Sequence, residues 1–402
     1  MFSRALYLCG ALTISLPSYA QVSSEFLTTL QSKFKQSLGF PINESHFTQS
    51  LSDEEQSLLN ETSRYDYTDI FEGTQPKDDD TFPYLFLKFR GLRQLIDDNN
   101  WHQKITCNLV KTKDDGKTFK VSRIKAFRHL QSKSSSPDEW RFSYCTGHDT
   151  NADMSSVMYY FHGITGQPSN WLERKAMYEF RKRWREMGKA PQWVSISFGS
   201  IAHLGQIGFE EKFFEKIIPY IEKELGFDKR PRKRFGFGVS QGGANVVHTV
   251  LKNESFFDAA VAICPAVFSF PPSASEEEQR AYRHRTMASR FLFRLIFSIL
   301  PEEFMQADYW SKNVDPFQLG LKYLNENSTP LYIQTSSKDQ LGLQEGGQLF
   351  AMLARTMGAP VVFEELKGGH CVMRAKKTAD FFRSFQEGEL PLQLQMHGRT
   401  RR

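Results

Sequence analysis

From residue 156 onward, short apolar segments alternate with amphipathic helical patterns, and no other feature limits the fold as much. Segments 156–161, 193–198, 234–239, 259–264, 330–335 and 361–365 have the length and apolar character of buried strands. Helix-period patterns lie between or after them at 170–187, 209–225, 241–252, 341–357 and 373–386. Strands joined through helices cannot close hairpins. They line up in parallel, and the crossover helices cover both faces of the sheet. The expected fold class is therefore α/β, within a domain spanning 151–388. One interval breaks the rhythm. Residues 266–328 are long, helical and rich in Arg and Phe, and are expected to form a helical cap insertion.

The N-terminal part has another texture. Within 83–150, strand candidates at 84–89, 103–110, 118–121 and 140–145 surround the hairpin signal Asp114-Asp115-Gly116-Lys117. This reads as a small β-sandwich-like module that ends in a linker from Gly147. Residues 21–82 read as a helical or irregular segment, with Phe26, Leu30, Phe34 and Leu38 at helix spacing, and 389–402 as a basic tail. Arg4, the apolar run 5–16 and Ser18-Tyr19-Ala20 make residues 1–20 a secretory signal, so the expected location is periplasmic or extracellular.

Export permits disulfides. Cys107 and Cys145 flank one strand-rich segment and are the expected pair, whereas Cys264 and Cys371 are expected to be free. Neither C-x-x-C nor H-E-x-x-H occurs, so no metal site or cofactor is expected. The net charge of +5 is concentrated at the ends. Residues 21–398 carry only +1, which speaks against a nucleic-acid partner. Thirty-five Phe residues imply large apolar cores or an apolar pocket.

Chemistry concentrates at loops that follow the strands. Gly238-Val239-Ser240-Gln241-Gly242 has the G-x-S-x-G form, with a strand before it and a helix after it. Small residues allow a tight strand-to-helix turn that exposes a serine, and the Gln241 N–H at the helix start points toward a developing oxyanion. A serine alcohol needs a base, and the base needs an acid to orient it. His370, in Lys367-Gly368-Gly369-His370 after the last strand, is the expected base. Asp339, beyond the strand 330–335, is the expected acid; it also suits a helix cap. Asp308 and Asp315 fall in the insertion and are poorer candidates, and Gln340 receives no role. His162-Gly163-Ile164 follows the first strand of the alternating region. Gly163 allows close approach, the Ile164 N–H is the expected second oxyanion donor, and His162 is expected to support the site by packing.

His162-Gly163, the elbow, Asp339 and Gly369-His370 together resemble the α/β-hydrolase superfamily, closest to its esterase D-like family. Ile218-Pro219-Tyr220-Ile221-Glu222 is also similar to a helix of those enzymes, and the resemblance covers roughly 154–388. It implies a Ser-Asp-His triad that cleaves carboxylic esters through an acyl-enzyme, acting on a small-molecule ester or an acylated glycan or lipid. Acyl transfer to a sugar or lipid alcohol uses the same triad, and a non-catalytic binding protein on this fold is the remaining alternative. Within the insertion, the apolar run 290–300 admits three roles: lining an acyl pocket, resting on a membrane surface, or packing into a core.

Overall fold

The structure is a computed structural model. It describes residues 81–83, 106–112, 117–123, 140–149, 151–164 and most of 166–389, together with 394. Short gaps fall at 167, 169–170, 172–174, 199–202, 290–292, 294–295 and 298–299. The expected signal at 1–20, the segment 21–80, the strand at 84–89 and most of the basic tail lie outside the described residues.

Eleven strands are described. They are β1 (Thr81–Pro83), β2 (Thr106–Thr112), β3 (Lys120–Arg123), β4 (Trp140–Gly147), β5 (Asp153–Phe161), β6 (Pro191–Ser197), β7 (Lys233–Val239), β8 (Ala259–Ile263), β9 (Leu331–Ser336), β10 (Val361–Leu366) and β11 (Val372–Arg374). The helices are α1 (Lys175–Met187), α2 (Phe209–Lys212), α3 (Ile218–Glu224), α4 (Gln241–Lys252), α5 (Glu276–Thr286), α6 (Ala307–Asn313), α7 (Pro316–Tyr323), α8 (Leu343–Thr356) and α9 (Ala375–Glu387).

Nine strands form one sheet in the order β10-β9-β8-β7-β5-β6-β4-β2-β3, while β1 pairs with β11 separately. From β10 to β6 every pairing is parallel, as crossover helices require. This is the α/β-hydrolase sheet, covered on both faces. Side chains alternate along the strands between two cores. Met158, Tyr160, Phe235 and Phe237 pack with Phe180 and Trp184 of α1 and Phe381 and Phe382 of α9. Val157, Tyr159 and Phe161 face the opposite way, toward Ile218 and Ile221 of α3, Val246 and Val250 of α4, and Phe350 of α8. Burial on both faces explains why the strand sequences read as continuous apolar runs.

Among the described residues, the expected β-sandwich-like module does not form a second layer. Its strands β4, β2 and β3 join the sheet edge to edge through the antiparallel β4–β6 pairing. The reason is that the β2 and β4 side chains feed the two existing cores, while Lys120, Val121 and Ser122 of β3 are exposed at the edge. Val110, Phe142 and Tyr144 pack on the α3 side, where Tyr220 meets both aromatic rings, and Cys107 and Cys145 lie on the other side. Cys107 sits directly opposite Cys145 in the β2–β4 register, and the two are joined as a disulfide with Cα atoms 4.1 Å apart.

One part of the described insertion forms a satellite core, whereas Leu319 and Leu324 join the core on the α3 side and Phe304, Trp310 and Val314 form a third cluster. Phe293 and Phe297 stack with centroids 4.3 Å apart and pack among Phe268, Phe270 and Tyr282. They are 1% and 4% exposed, so these two rings face neither a membrane nor an open acyl channel. Phe297→Ala is expected to cost about 3–5 kcal/mol by loss of buried area and cavity formation. Urea unfolding measures this, and a midpoint equal to wild type would show that the satellite core contributes nothing.

Candidate active site

Winding reverses at β5, which β6 flanks on one side and β7 on the other. Crossovers that leave such a switch point in opposite directions open a crevice at the carboxyl ends of the strands. The expected residues collect at that edge. His162 and Gly163 follow β5, Ser240 follows β7, Asp339 follows β9 and His370 follows β10.

Ser240 occupies the turn between β7 and α4 with φ 56° and ψ −117°, a conformation few non-glycine residues adopt. Two glycines make the turn possible. A Cβ on Gly238 would collide with the Gly242 carbonyl, and one on Gly242 with the Phe161 carbonyl. The helix therefore starts in direct contact with the ends of β5 and β7. The Ser240 N–H donates to the Ile263 carbonyl at 2.9 Å, and its own carbonyl accepts from the Ala266 N–H at 3.0 Å.

The Ser240 Oγ lies 3.2 Å from His370 Nε2, and His370 Nδ1 lies 2.9 Å from Asp339 Oδ2. A carboxylate can only accept, so Nδ1 carries the imidazole proton and Nε2 presents its lone pair to the serine hydroxyl. The second Asp339 oxygen accepts from the Leu341 N–H at 2.8 Å. Asp339 thus turns its own loop and orients His370 at the same time. The expected alternative of a helix cap does not hold for α8, whose N-cap is Gly342. The other acids sit elsewhere. Asp315 caps α7 through the Phe317 N–H, and Asp308 forms a surface pair with Lys312.

On the opposite side of the serine, a Cβ at Gly163 would stand 3.2 Å from Ser240 Cβ and 3.8 Å from its Oγ, so the β5 loop passes directly over Ser240. His162 Nδ1 donates to the Gly163 carbonyl at 2.8 Å, and the same carbonyl accepts from the Gly166 N–H. Burial pushes the His162 imidazole down to about 4, so it is neutral at physiological pH and acts on loop shape rather than charge. In a trans peptide the N–H points opposite to the carbonyl, so the engaged Gly163 carbonyl leaves the Ile164 N–H on the other side. Gln241 is the first residue of α4, where an N–H has no intrahelical acceptor.

Two contributors were not read from the sequence. The Gln340 side chain accepts the His370 backbone N–H at 3.0 Å, while its carbonyl accepts from Ser289 N–H in the insertion at 2.7 Å. Cys264 and Cys371, expected to be free, are joined, with Cα atoms 5.2 Å apart. The adjacency of Cys371 to His370 was visible, but its partner is 107 residues away in sequence, and they meet because β8 pairs with β9 while the chain at Val372 is bonded to Ser336 at the end of β9. Cys264, His370 and Cys371 are the one metal-ligand-like trio among the described residues. Zinc-type ligation uses thiolates, which this pair lacks while the bond is intact.

The insertion rests on the loop that carries Asp339. The Tyr282 hydroxyl donates to the Gly342 carbonyl at 2.7 Å, and Leu341 and Leu343 belong to the satellite core. Burial, then the nearby Asp339 charge, push the Tyr282 phenol well up, so it stays protonated and keeps that bond.

No family model matches the chain, and no curated protein matches it. Among solved structures, a ferulic acid esterase aligns at 17% identity over 71% of this chain and 97% of its own, with a TM-score of 0.42. An arylesterase aligns at 18% identity over 66% and 85%, with a TM-score of 0.44. An S-formylglutathione hydrolase from Agrobacterium tumefaciens aligns at 16% over 64% and 92%, with a TM-score of 0.43. Likenesses this distant carry no weight for substrate, and the fold stands on its own strand order.

Proposed function

We propose that this chain is an exported serine hydrolase that cleaves carboxylic esters through an acyl-enzyme. The observation that carries the reading is the continuous line Ser240 Oγ–His370 Nε2, His370 Nδ1–Asp339 Oδ2 at 3.2 and 2.9 Å, built on a strained elbow. In this reading His370 takes the Ser240 proton as Oγ attacks the ester carbonyl. The oxyanion is held by the N–H groups of Gln241 and Ile164. The tetrahedral intermediate collapses, His370 returns the proton to the leaving alcohol, and water then repeats the sequence on the acyl-enzyme.

The insertion at 266–328 serves as the cap in this proposal. Its support is the pair of bonds from Tyr282 and Ser289 to the acid loop, which set helical structure beside His370. Transfer to an alcohol acceptor uses the same residues and differs only in what enters the acyl-enzyme.

The test is a p-nitrophenyl ester series of increasing acyl length plus a feruloyl ester, run with a fluorophosphonate label. Turnover of at least one ester and labelling at Ser240, mapped by peptide mass spectrometry, are expected. A folded protein that neither turns over esters nor takes the label would be a binding protein on this fold.

A further inference from the structure

Hydrogen bonds near the base run toward the acid. The Ser337 N–H donates to the Leu366 carbonyl at 2.8 Å, the Lys338 N–H to the Gly368 carbonyl at 2.9 Å, and the His370 N–H to Gln340 at 3.0 Å. Past the base, the Val372 N–H donates to Ser336 Oγ at 3.0 Å. These bonds fix His370 relative to Asp339. The nucleophile is held by a different segment: beyond the helical bond from Ala244, Ser240 donates its N–H to the Ile263 carbonyl and accepts from the Ala266 N–H. Cys264 lies between those two residues, and Cys371 is the next residue after His370. The Cys264–Cys371 bond therefore links the cradle of the nucleophile to the loop of the base.

Backbone conformation at both ends agrees with that role. Cys264 has φ 39° and Cys371 φ 63°, and both are fully buried. Non-glycine residues hold such angles only where the surroundings over-determine them. A covalent bond between the two does so directly.

We propose that the Cys264–Cys371 disulfide is a positioning element that sets the Ser240–His370 spacing; this rests on the ester-hydrolase reading above. The disulfide touches neither substrate nor the reacting atoms. It acts through His370, and without it Cys371 relaxes toward ordinary backbone angles and carries the imidazole away from Ser240. Misplacement of a catalytic group by about 1 Å lowers rates by as much as 10²-fold.

The experiment compares Cys264→Ala/Cys371→Ala with Cys107→Ala/Cys145→Ala, which removes the disulfide between β2 and β4. Both are assayed below their melting temperatures. The first pair is expected to lose about 10²-fold in kcat with KM little changed, and Ser240 labelling by the fluorophosphonate slows in parallel. The second pair keeps wild-type kcat. Wild-type kcat in a folded Cys264→Ala/Cys371→Ala protein overturns the proposal, and so does an equal loss in both variants, which would reflect stability alone. Should the first variant not fold, wild-type enzyme treated with a phosphine reductant gives the same readout. The opened pair is then counted by mass spectrometry of an alkylated aliquot, and activity is expected to fall with the open fraction. Activity that persists as the pair opens overturns the proposal. An unlabelled wild-type protein is a separate result, because it removes the hydrolase reading itself.

Discussion

Replacing Ser240 with alanine is expected to lower ester turnover by about 10⁴-fold or more, with the melting temperature close to wild type. In the proposed mechanism the hydroxyl supplies the bond that becomes the acyl-enzyme, so nothing else in the site can substitute for it. Alanine keeps a Cβ, so the φ of 56° is no harder to hold than before, and the backbone bonds to Ile263 and Ala266 do not involve the side chain. Steady-state rates and a thermal melt on the same preparation provide the check. Activity within tenfold of wild type would falsify the assignment of the nucleophile.

Asp339→Asn is expected to cost roughly 10³ to 10⁴-fold in kcat, by a route the geometry makes explicit. The two carboxylate oxygens have separate duties, one to the Leu341 N–H and one to His370 Nδ1. In asparagine the amide oxygen satisfies Leu341, and the NH₂ group then faces His370. Nδ1 must accept rather than donate, so the proton moves to Nε2, which can no longer take one from Ser240. Asp315→Asn and Asp308→Asn serve as comparisons, since the first sits at a helix cap and the second on the surface. A mild effect at 339 beside a severe one at 315 or 308 would mean that the acid has been misidentified.

Much of this was legible in the chain, for local reasons. Six buried strands announced themselves because a strand covered on both faces has no polar side to interrupt it, and 234–239 coincides within a residue with β7. The elbow was legible because its first glycine is demanded locally, by the Gly242 carbonyl four residues on, although the second, Gly242, is demanded by the Phe161 carbonyl at the end of β5. Asp339 and His370 could be proposed because loops after strands in this order open at one edge.

What stayed hidden depended on partners distant in sequence. Strands β2 to β4 had the pattern of a separate module, since period-two alternation reports that a strand has two faces but not which neighbour it joins. Their place at the sheet edge was decided by Tyr220 and the β4–β6 pairing. Gln340 carried no signal of its own, because a glutamine beside an acid looks the same whether it meets solvent or the backbone of His370. Cys264 and Cys371 looked unpaired for the same reason. Sequence determined the parallel sheet, the elbow and the order Ser240, Asp339, His370 along the chain, because periodicity and turn sterics act over a few residues. Tertiary structure alone decided which strand closes the edge, which rings fill the insertion and which cysteine sits beside His370, because those choices are made by packing between segments well beyond the reach of local periodicity, 107 residues apart for Cys264 and Cys371.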